Sequence, residues 1–415
     1  MDLKLYRNFF SMIAFQSTSY IAPIITLPYL TKTLGPHNFG SLNYCLAIIA
    51  LLIVITDWGF NLSATRKIST EQNNRTNTAY IFWGTISAKL LIALLTLCAL
   101  LIAITLFETI RSLSNILLIT WLMVIGNVIT INWYLQGIEQ FGAVATAGIL
   151  ARLLTIPATF IFVSSAEDTW IAALINSLCA LLVGLISIIA AYRTRKIQWC
   201  TPSLLNMKQQ IKDGWDIFVS TLSVSLFTSA NTIILGSISG MSQVAIYNAA
   251  DKIKTALNMP SAQLTNVIYP RVSATFKDQI DSSKKLIKLT IAFNIIATLS
   301  TLIFLIYFAQ KIVLMIFPEN FSGAGEVLII MFSAYIFGNI AYPLGLLAML
   351  NLGITRARRN IMLLAGVASI PTTYFLSSAY GAIGAAYSLL ITEAIILLGF
   401  LIALHLNSKS EQSAK

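Results

Sequence analysis

Charge is scarce in this chain, and acid scarcer still. Only 10% of its 415 residues are Asp, Glu, Lys or Arg, against 57% hydrophobic, and 16 acids face 27 bases. A soluble domain carries roughly 25% charged residues, so a string of water-exposed domains is excluded, although length alone would suggest two or three. Histidine occurs twice, at His37 and His405, and cysteine four times, at Cys45, Cys98, Cys179 and Cys200. None of them shows metal-ligand spacing. Three of the cysteines fall in apolar runs, where a thiol behaves as a small apolar group. No metal site is expected. No GxxxxGK[ST] loop is present, which removes that route to ATP hydrolysis. With no candidate catalytic residues, the chain reads as a non-enzyme without a cofactor.

Long apolar stretches are what the sequence has in abundance. A helix needs about 20 apolar residues to cross a bilayer. Twelve segments qualify: 8–30, 39–60, 79–104, 113–135, 141–163, 169–192, 214–238, 246–270, 286–310, 324–350, 360–378 and 381–405. The expected fold is an all-α polytopic membrane protein of about twelve helices. The first segment follows the basic Lys4 and Arg7 but is too long for a signal peptide, and reads as an uncleaved span. The eighth is the least apolar, since it carries Asp251, Lys252, Lys254 and Pro260. Connections such as 107–113 and 166–169 are short, leaving no room for an external domain. The longest polar connector, 193–213, divides the chain into two six-helix bundles, 1–192 and 214–415.

Charge placement sets the orientation. With the N-terminus inside, the cytoplasmic segments collect Lys4, Arg7, Arg66, Lys67, Arg75, Arg193, Arg195, Lys196, Lys208 and Lys212. They also collect Arg271, Lys277, Lys284, Lys285, Lys288, Arg356, Arg358, Arg359, Lys409 and Lys415, while the opposite face keeps Lys32, Arg111 and Lys311. That asymmetry follows the positive-inside rule and places both termini in the cytoplasm. The formal net charge of +11 therefore belongs to loops facing the cytoplasm, and nucleic acid is not an expected partner.

Two stretches echo one another. Gly35-Pro-His-Asn-Phe-Gly-Ser-Leu-Asn43 leads into the second span and Gly240-Met-Ser-Gln-Val-Ala-Ile-Tyr-Asn248 into the eighth, matching Gly35 to Gly240, Gly40 to Ala245 and Asn43 to Asn248. Their equivalent positions point to a parallel internal repeat, a plan on which many transporters are built, with substrate bound between the repeats. Prolines lie inside spans at Pro23, Pro28, Pro157, Pro260, Pro270, Pro343 and Pro371. Each removes one helical hydrogen bond and can bend its helix. The first span, with two of them, is a candidate flexing element.

Few charges enter the spans. A cation on lipid-facing surface at mid-depth costs roughly 2.5–3.5 kcal/mol on insertion scales, so such residues turn inward and are functional candidates. Lys89 and Arg152 sit near the centres of the apolar runs 79–107 and 141–163. No acid is expected at their depth in the first half, and Glu393 is the one mid-depth acid overall. Two cations against one acid leave a positive region suited to an anion. Phosphate fits particularly, since arginine binds it bidentately and lysine as a point charge; pairing with Glu393 or a backbone carbonyl is the alternative. Arg66 and Lys252 complete the candidate anion ligands. Asp57 and Asp216, toward the cytoplasmic ends, and Glu393 are candidates for ion coupling. Asp251 and Lys254 lie one helical turn apart and are expected to neutralise each other. Gln16, Ser17, Thr18, Ser19 and Tyr20 in the first span, and Ser220, Thr221, Ser223, Ser225, Thr228, Ser229, Asn231 and Thr232 in the seventh, suit a polar wall for a sugar. Serine and threonine are also ordinary packing residues in membrane helices.

Three segments carry a family resemblance. Pro28-Tyr-Leu-Thr-Lys-Thr-Leu-Gly-Pro-His-Asn-Phe-Gly40 resembles the segment after the first helix of bacterial polysaccharide flippases. Asp57-Trp-Gly-Phe-Asn-Leu-Ser-Ala-Thr-Arg66 resembles the exit of their second helix, and Tyr247-Asn-Ala-Ala-Asp-Lys-Ile253 the start of their eighth. The chain is most similar to O-antigen flippases of the Wzx type, within the superfamily that includes MATE-type multidrug exporters. The resemblance implies two six-helix bundles in a V around a central cavity that opens alternately to each face. It implies an oligosaccharide on undecaprenyl diphosphate as cargo, carried from the cytoplasmic to the periplasmic leaflet of the inner membrane. The implied partners are membrane lipids, a polysaccharide polymerase and a chain-length regulator. No family binding motif falls on Lys89 or Arg152, whose candidacy rests on depth and charge.

Two rivals stay open. A cation-coupled multidrug antiporter would share the fold but should place unpaired acids in its cavity, whereas here bases are in excess. A membrane polymerase or glycosyltransferase acting on lipid-linked sugars should carry a large outer loop, which this sequence lacks.

Overall fold

The computed structural model describes the backbone of residues 3–71, 74–194, 197–276 and 279–413, with side chains from Ile25 to Ser408 apart from 141, 143 and 144. The hydroxyl cluster 16–20, Lys4, Arg7 and Lys409 lie outside the described side chains, and Arg195, Lys196, Lys277 and Lys415 outside the described residues altogether. Helix dominates. The elements are α1 (Leu3–Asp57), α2 (Phe60–Thr70), α3 (Arg75–Leu106), α4 (Glu108–Ser112), α5 (Ser114–Ile129), α6 (Asn132–Gly137) and α7 (Phe141–Phe162). They continue with α8 (Thr169–Arg193), α9 (Leu204–Ser239), α10 (Met241–Thr275), α11 (Ile280–Ile316), α12 (Ala324–Pro343) and α13 (Thr355–Ser413). No strand occurs among the described residues. A bilayer demands this, because every backbone polar group must be satisfied within its own segment.

Burial is inverted relative to a soluble protein. Helix α3 buries Thr85, Ala88, Lys89, Ala93 and Thr96 while Leu90, Leu91, Leu94, Leu95 and Ile102 face outward. Water would penalise that outer face by roughly 1.5–3 kcal/mol per large side chain, so its medium is lipid. Small residues set the helix spacing inside: a Cβ on Gly126 would lie 2.7 Å from the Ala180 backbone, bringing α5 and α8 into close contact.

Nine stretches among the described residues are long and apolar enough to cross a membrane, against the twelve expected. The difference has physical causes. The first two and the last two expected spans run together as Ile25–Thr70 and Thr355–Ser408, each interrupted at glycine with positive φ. Gly35 (φ 68°, ψ 173°) breaks α1, and Gly381 (φ 56°, ψ −130°) breaks α13. Helix α10, with Asp251, Lys252, Lys254 and Arg271, is not apolar enough to qualify.

The chain forms two compact units, Met1–Leu222 and Ser223–Lys415. The first has a core of Ile68, Phe82, Trp133, Tyr134 and Leu135, where aromatic edges meet faces. The polar connector packs with this unit: Trp83 Nε1 donates to Gln198 O at 3.0 Å, and Lys67 forms an ion pair with Asp213. The second unit has a core of Val272, Phe276, Ile287, Leu347 and Ala348. There Pro343 ends α12 and a π-helical turn, Leu344–Met349, follows.

The echoed stretches share local geometry. Gly240 (φ 87°, ψ 168°) repeats the positive-φ corner of Gly35, and a long helix follows each. Asn43 Nδ2 donates to Phe39 O at 2.8 Å, and Asn248 Nδ2 to Val244 O at 2.9 Å. A third correspondence was not visible in the sequence. Asn38 Nδ2 donates to Ala166 O, in the turn joining α7 to α8, at 2.9 Å. Gln243, at the equivalent position, accepts from Ala382 N beside the Gly381 break at 2.9 Å. Each copy thus ties its glycine corner to a later helical turn of its own unit.

Candidate functional site

In the first unit the focus is the corner between α1 and α2. Trp58 (φ 43°) and Gly59 (φ 75°) are both left-handed and end the helix at Asp57. A left-handed tryptophan costs about 1–2 kcal/mol, and packing offsets it. Trp58 Nε1 donates to Ile211 O at 3.0 Å, and its ring stacks on Phe218 with centroids 4.1 Å apart. A Cβ on Gly59 would lie 2.6 Å from Gly214 O, so only glycine admits this approach.

That corner fixes Asp57 beneath Lys89. Lys89 Nζ lies 2.7 Å from Asp57 Oδ1 and donates to Asn127 O at 3.0 Å, with the lysine side chain fully buried and the aspartate 20% exposed. Asn61 Nδ2 donates to Asp57 Oδ2 at 2.9 Å. The expectation that Lys89 has no acid at its depth is overturned. The helical path does not finish where the apolar run does, because beyond the corner α2 carries it on for 11 residues. Asp57 therefore precedes the turn at Glu71 by 14 residues, and Lys89 follows Asn74 by 15. At 1.5 Å per residue both lie roughly 20 Å from the turn.

Arg152 differs. It is half-buried on α7, among outward-facing Leu150, Leu153 and Leu154, and makes no ion pair or hydrogen bond to a described residue. Arg66 and Lys252 are exposed, as is Asp216, whose carbonyl accepts from Ser220 Oγ at 3.0 Å.

The second unit gathers a charged cluster. Lys254 Nζ lies 2.7 Å from Asp251 Oδ1 and 5.4 Å from the Tyr335 ring centroid, a separation at which ring and ammonium attract. Glu393 on α13 feels the Lys254 charge but makes no hydrogen bond or ion pair to a described residue. Its carboxyl rests on Gly338, where a Cβ would come within 3.1 Å of Oε2.

A column of amides and hydroxyls runs on from this cluster. Tyr335 bonds to Asn258, and Asn339 Nδ2 donates to Asn258 Oδ1 and Thr298 Oγ1, both at 2.7 Å. Asn294 Nδ2 donates to Thr265 Oγ1 at 3.2 Å. Sequence reasoning missed this column, although its asparagines inside apolar helices were the available signal. Of the expected polar wall on α9, Ser223, Ser225, Asn231 and Thr232 are buried in packing; Thr373 Oγ1 donates to Asn231 Oδ1 at 2.6 Å. Thr221 and Thr228 remain exposed.

Comparison with known proteins gives these sites a family. Two proteins named "Putative O-antigen transporter" are similar along nearly their whole length. The one from Escherichia coli (strain K12) is 32% identical over 398 residues, covering 95% of each chain. The one from Shigella dysenteriae is 28% identical over 396 residues, covering 94% of this chain and 98% of the relative. Among solved structures, an inward-facing MATE-family multidrug resistance transporter superposes with a TM-score of 0.73 at 14% identity, covering 95% of this chain and 96% of the other. Lipid II flippase MurJ, in an inward closed conformation, superposes with a TM-score of 0.76 at 14% identity, covering 95% and 87%. At such identities the likeness establishes the fold alone, that of an all-helical, multi-pass membrane protein. Residues 5–276 match the family described as polysaccharide biosynthesis protein. With that match spanning most of the sequence, and a relative at 32% identity along its length, the chain belongs to the polysaccharide biosynthesis protein family.

Proposed function

We propose that this chain is a flippase that moves an oligosaccharide linked to undecaprenyl diphosphate from the cytoplasmic to the periplasmic leaflet of the bacterial inner membrane, by alternating access. The observation that carries this reading is full-length similarity to two O-antigen transporters. The half-buried Arg152, without a partner among the described residues, supports it, because a diphosphate is an anion that arginine grips bidentately. The chain acts as a transporter and performs no covalent chemistry. Both termini face the cytoplasm, following the bias of Lys and Arg between the two sets of loops. The 1–192 and 214–415 bundles serve as the two moving halves, and a polysaccharide polymerase and chain-length regulator receive the product downstream. Arg66 and Lys252, both exposed, act as accessory contacts for the anion.

Coupling to an ion gradient falls to Glu393. Asp57 is already held by Lys89, and Asp216 is exposed, whereas Glu393 has no hydrogen bond or ion pair to a described residue. The multidrug antiporter reading is weaker, because its cationic substrates would meet Arg152. The deciding experiment expresses the chain in a strain that lacks its O-antigen transporter but makes a matching sugar unit. Restored lipopolysaccharide ladders, with loss of the accumulated lipid-linked intermediate, are expected. Persistent intermediate, at normal membrane abundance of the protein, would rule out the flippase assignment.

A further inference from the structure

The second unit contains one more cation without a counter-charge. Arg358 lies in the first turns of α13, and its Nε is shielded from solvent with no hydrogen-bond partner. No described carboxylate pairs with it. A guanidinium serving only to hold helices together would be expected to give its shielded Nε a carboxylate or a carbonyl, since an unsatisfied buried donor costs roughly 1–3 kcal/mol. Here the surroundings supply more donors instead. Its electrostatic neighbours are Tyr342 and Tyr269. The Tyr342 hydroxyl donates to Asn266 Oδ1 at 2.7 Å, which orients the Asn266 amide and leaves its NH2 free to donate. The Tyr269 hydroxyl has no hydrogen-bond partner among the described residues.

Backbone shape makes room for the arginine. The π-helical turn Leu344–Met349 begins at Pro343, and such turns concentrate at functional sites. It presents Gly345 to the arginine, where a Cβ would come within 3.1 Å of Nε and 2.8 Å of the Phe400 ring. A glycine, a proline-initiated irregular turn and an unpaired arginine thus converge with two phenols and an amide. A fork of guanidinium donors surrounded by neutral donors matches phosphate oxygens.

We propose that Arg358, Tyr269 and the Asn266 amide, oriented by Tyr342, form a phosphate-binding site at the π-helical turn of the second unit. Two sources share this chemistry, the diphosphate of the lipid-linked cargo and the headgroup of an anionic membrane phospholipid. The cargo source rests on the proposed function; the phosphate site itself does not.

The test titrates the purified full-length protein in detergent, by native mass spectrometry, with undecaprenyl diphosphate, undecaprenol and phosphatidylglycerol. Arg358→Gln, Arg358→Lys and a Tyr269→Phe/Tyr342→Phe double variant are compared with wild type. Arg358→Gln is expected to weaken binding of the phosphate-bearing lipids on the order of tenfold or more, leaving undecaprenol unaffected. Arg358→Lys should fall between, since it keeps the charge but loses the fork. Weakening confined to undecaprenyl diphosphate supports the cargo source, and weakening confined to phosphatidylglycerol supports the headgroup and overturns the cargo. If wild type binds phosphatidylglycerol through Arg358 but does not bind undecaprenyl diphosphate at all, the site stands and the flippase reading fails. Equal binding of both lipids by wild type, Arg358→Gln and the tyrosine double variant, each eluting as a single folded species, overturns the site. Should Arg358→Gln not fold, unaltered binding by Arg358→Lys and the double variant overturns it equally.

Discussion

Lys89 Nζ and Asp57 Oδ1 stand 2.7 Å apart inside the first unit, with Asn127 O as the second acceptor of the lysine. The pair joins the end of α1 to the middle of α3 and turns an apparently uncompensated cation into half of an internal tie.

Removing one member should therefore harm the fold more than removing both. Lys89→Ala leaves an aspartate unpaired, and we expect a loss of roughly 3 kcal/mol, toward the lower end for a broken buried pair because Asp57 keeps some solvent contact. Lys89→Met with Asp57→Leu should recover most of that loss. Thermal unfolding of the detergent-solubilised protein measures both; equal stability of the single and double variants would contradict the tie.

Arg152 should behave in the opposite way. With no described partner to lose, Arg152→Gln is expected to leave the melting temperature within the range of a surface change, about 0.5 kcal/mol, while lowering O-antigen display at least tenfold. Arg152→Lys should retain part of the activity. A large stability loss with proportionate loss of display would reassign the residue to packing.

The glycine corners predict matched stability losses. Nothing lies within 4 Å of a Cβ placed on Gly35 or Gly240, so an alanine there meets backbone strain and no clash. Gly35→Ala and Gly240→Ala should each cost about 1–3 kcal/mol, because positive φ combined with extended ψ is open essentially to glycine alone. Gly59→Ala should be worse, because strain is joined by collision with Gly214 O at 2.6 Å. Ranking the three variants by thermal unfolding checks the order.

Glu393→Gln separates coupling from cargo binding. In proteoliposomes carrying lipid-linked substrate, an imposed proton or sodium gradient is expected to accelerate flipping by wild type and not by the variant, with passive exchange unchanged. Gradient stimulation that survives in Glu393→Gln would remove the residue from coupling.

The sequence told much of the fold and less of the site, and the reason is physical. Apolar length and loop charge are properties of whole segments, so the helical architecture could be read from runs of twenty residues. Pairing depends on where a helix really ends. The apolar run stops near Gly59, and depth counted from that point hid Asp57 from Lys89, whereas α2 continues the path to Thr70. Asp251 and Lys254 were legible because one helical turn fixes their distance whatever the tertiary fold. The asparagine column Asn258, Asn294 and Asn339 and the Arg358 surroundings were not, since their partners come from different helices and no spacing rule connects them.

The paired corners at Gly35 and Gly240 have a consequence for how the two halves of this chain should be compared. Neighbouring side chains differ between the copies, Pro36 against Met241 and Asn38 against Gln243, while the glycine torsions nearly coincide. What the two copies share is a backbone path. Two positive-φ glycines 205 residues apart, each tied by the third residue after it to a later turn, give a register mark that survives when residue identity has faded into chance. An alignment of one half of this chain upon the other can be anchored on that mark and extended outward.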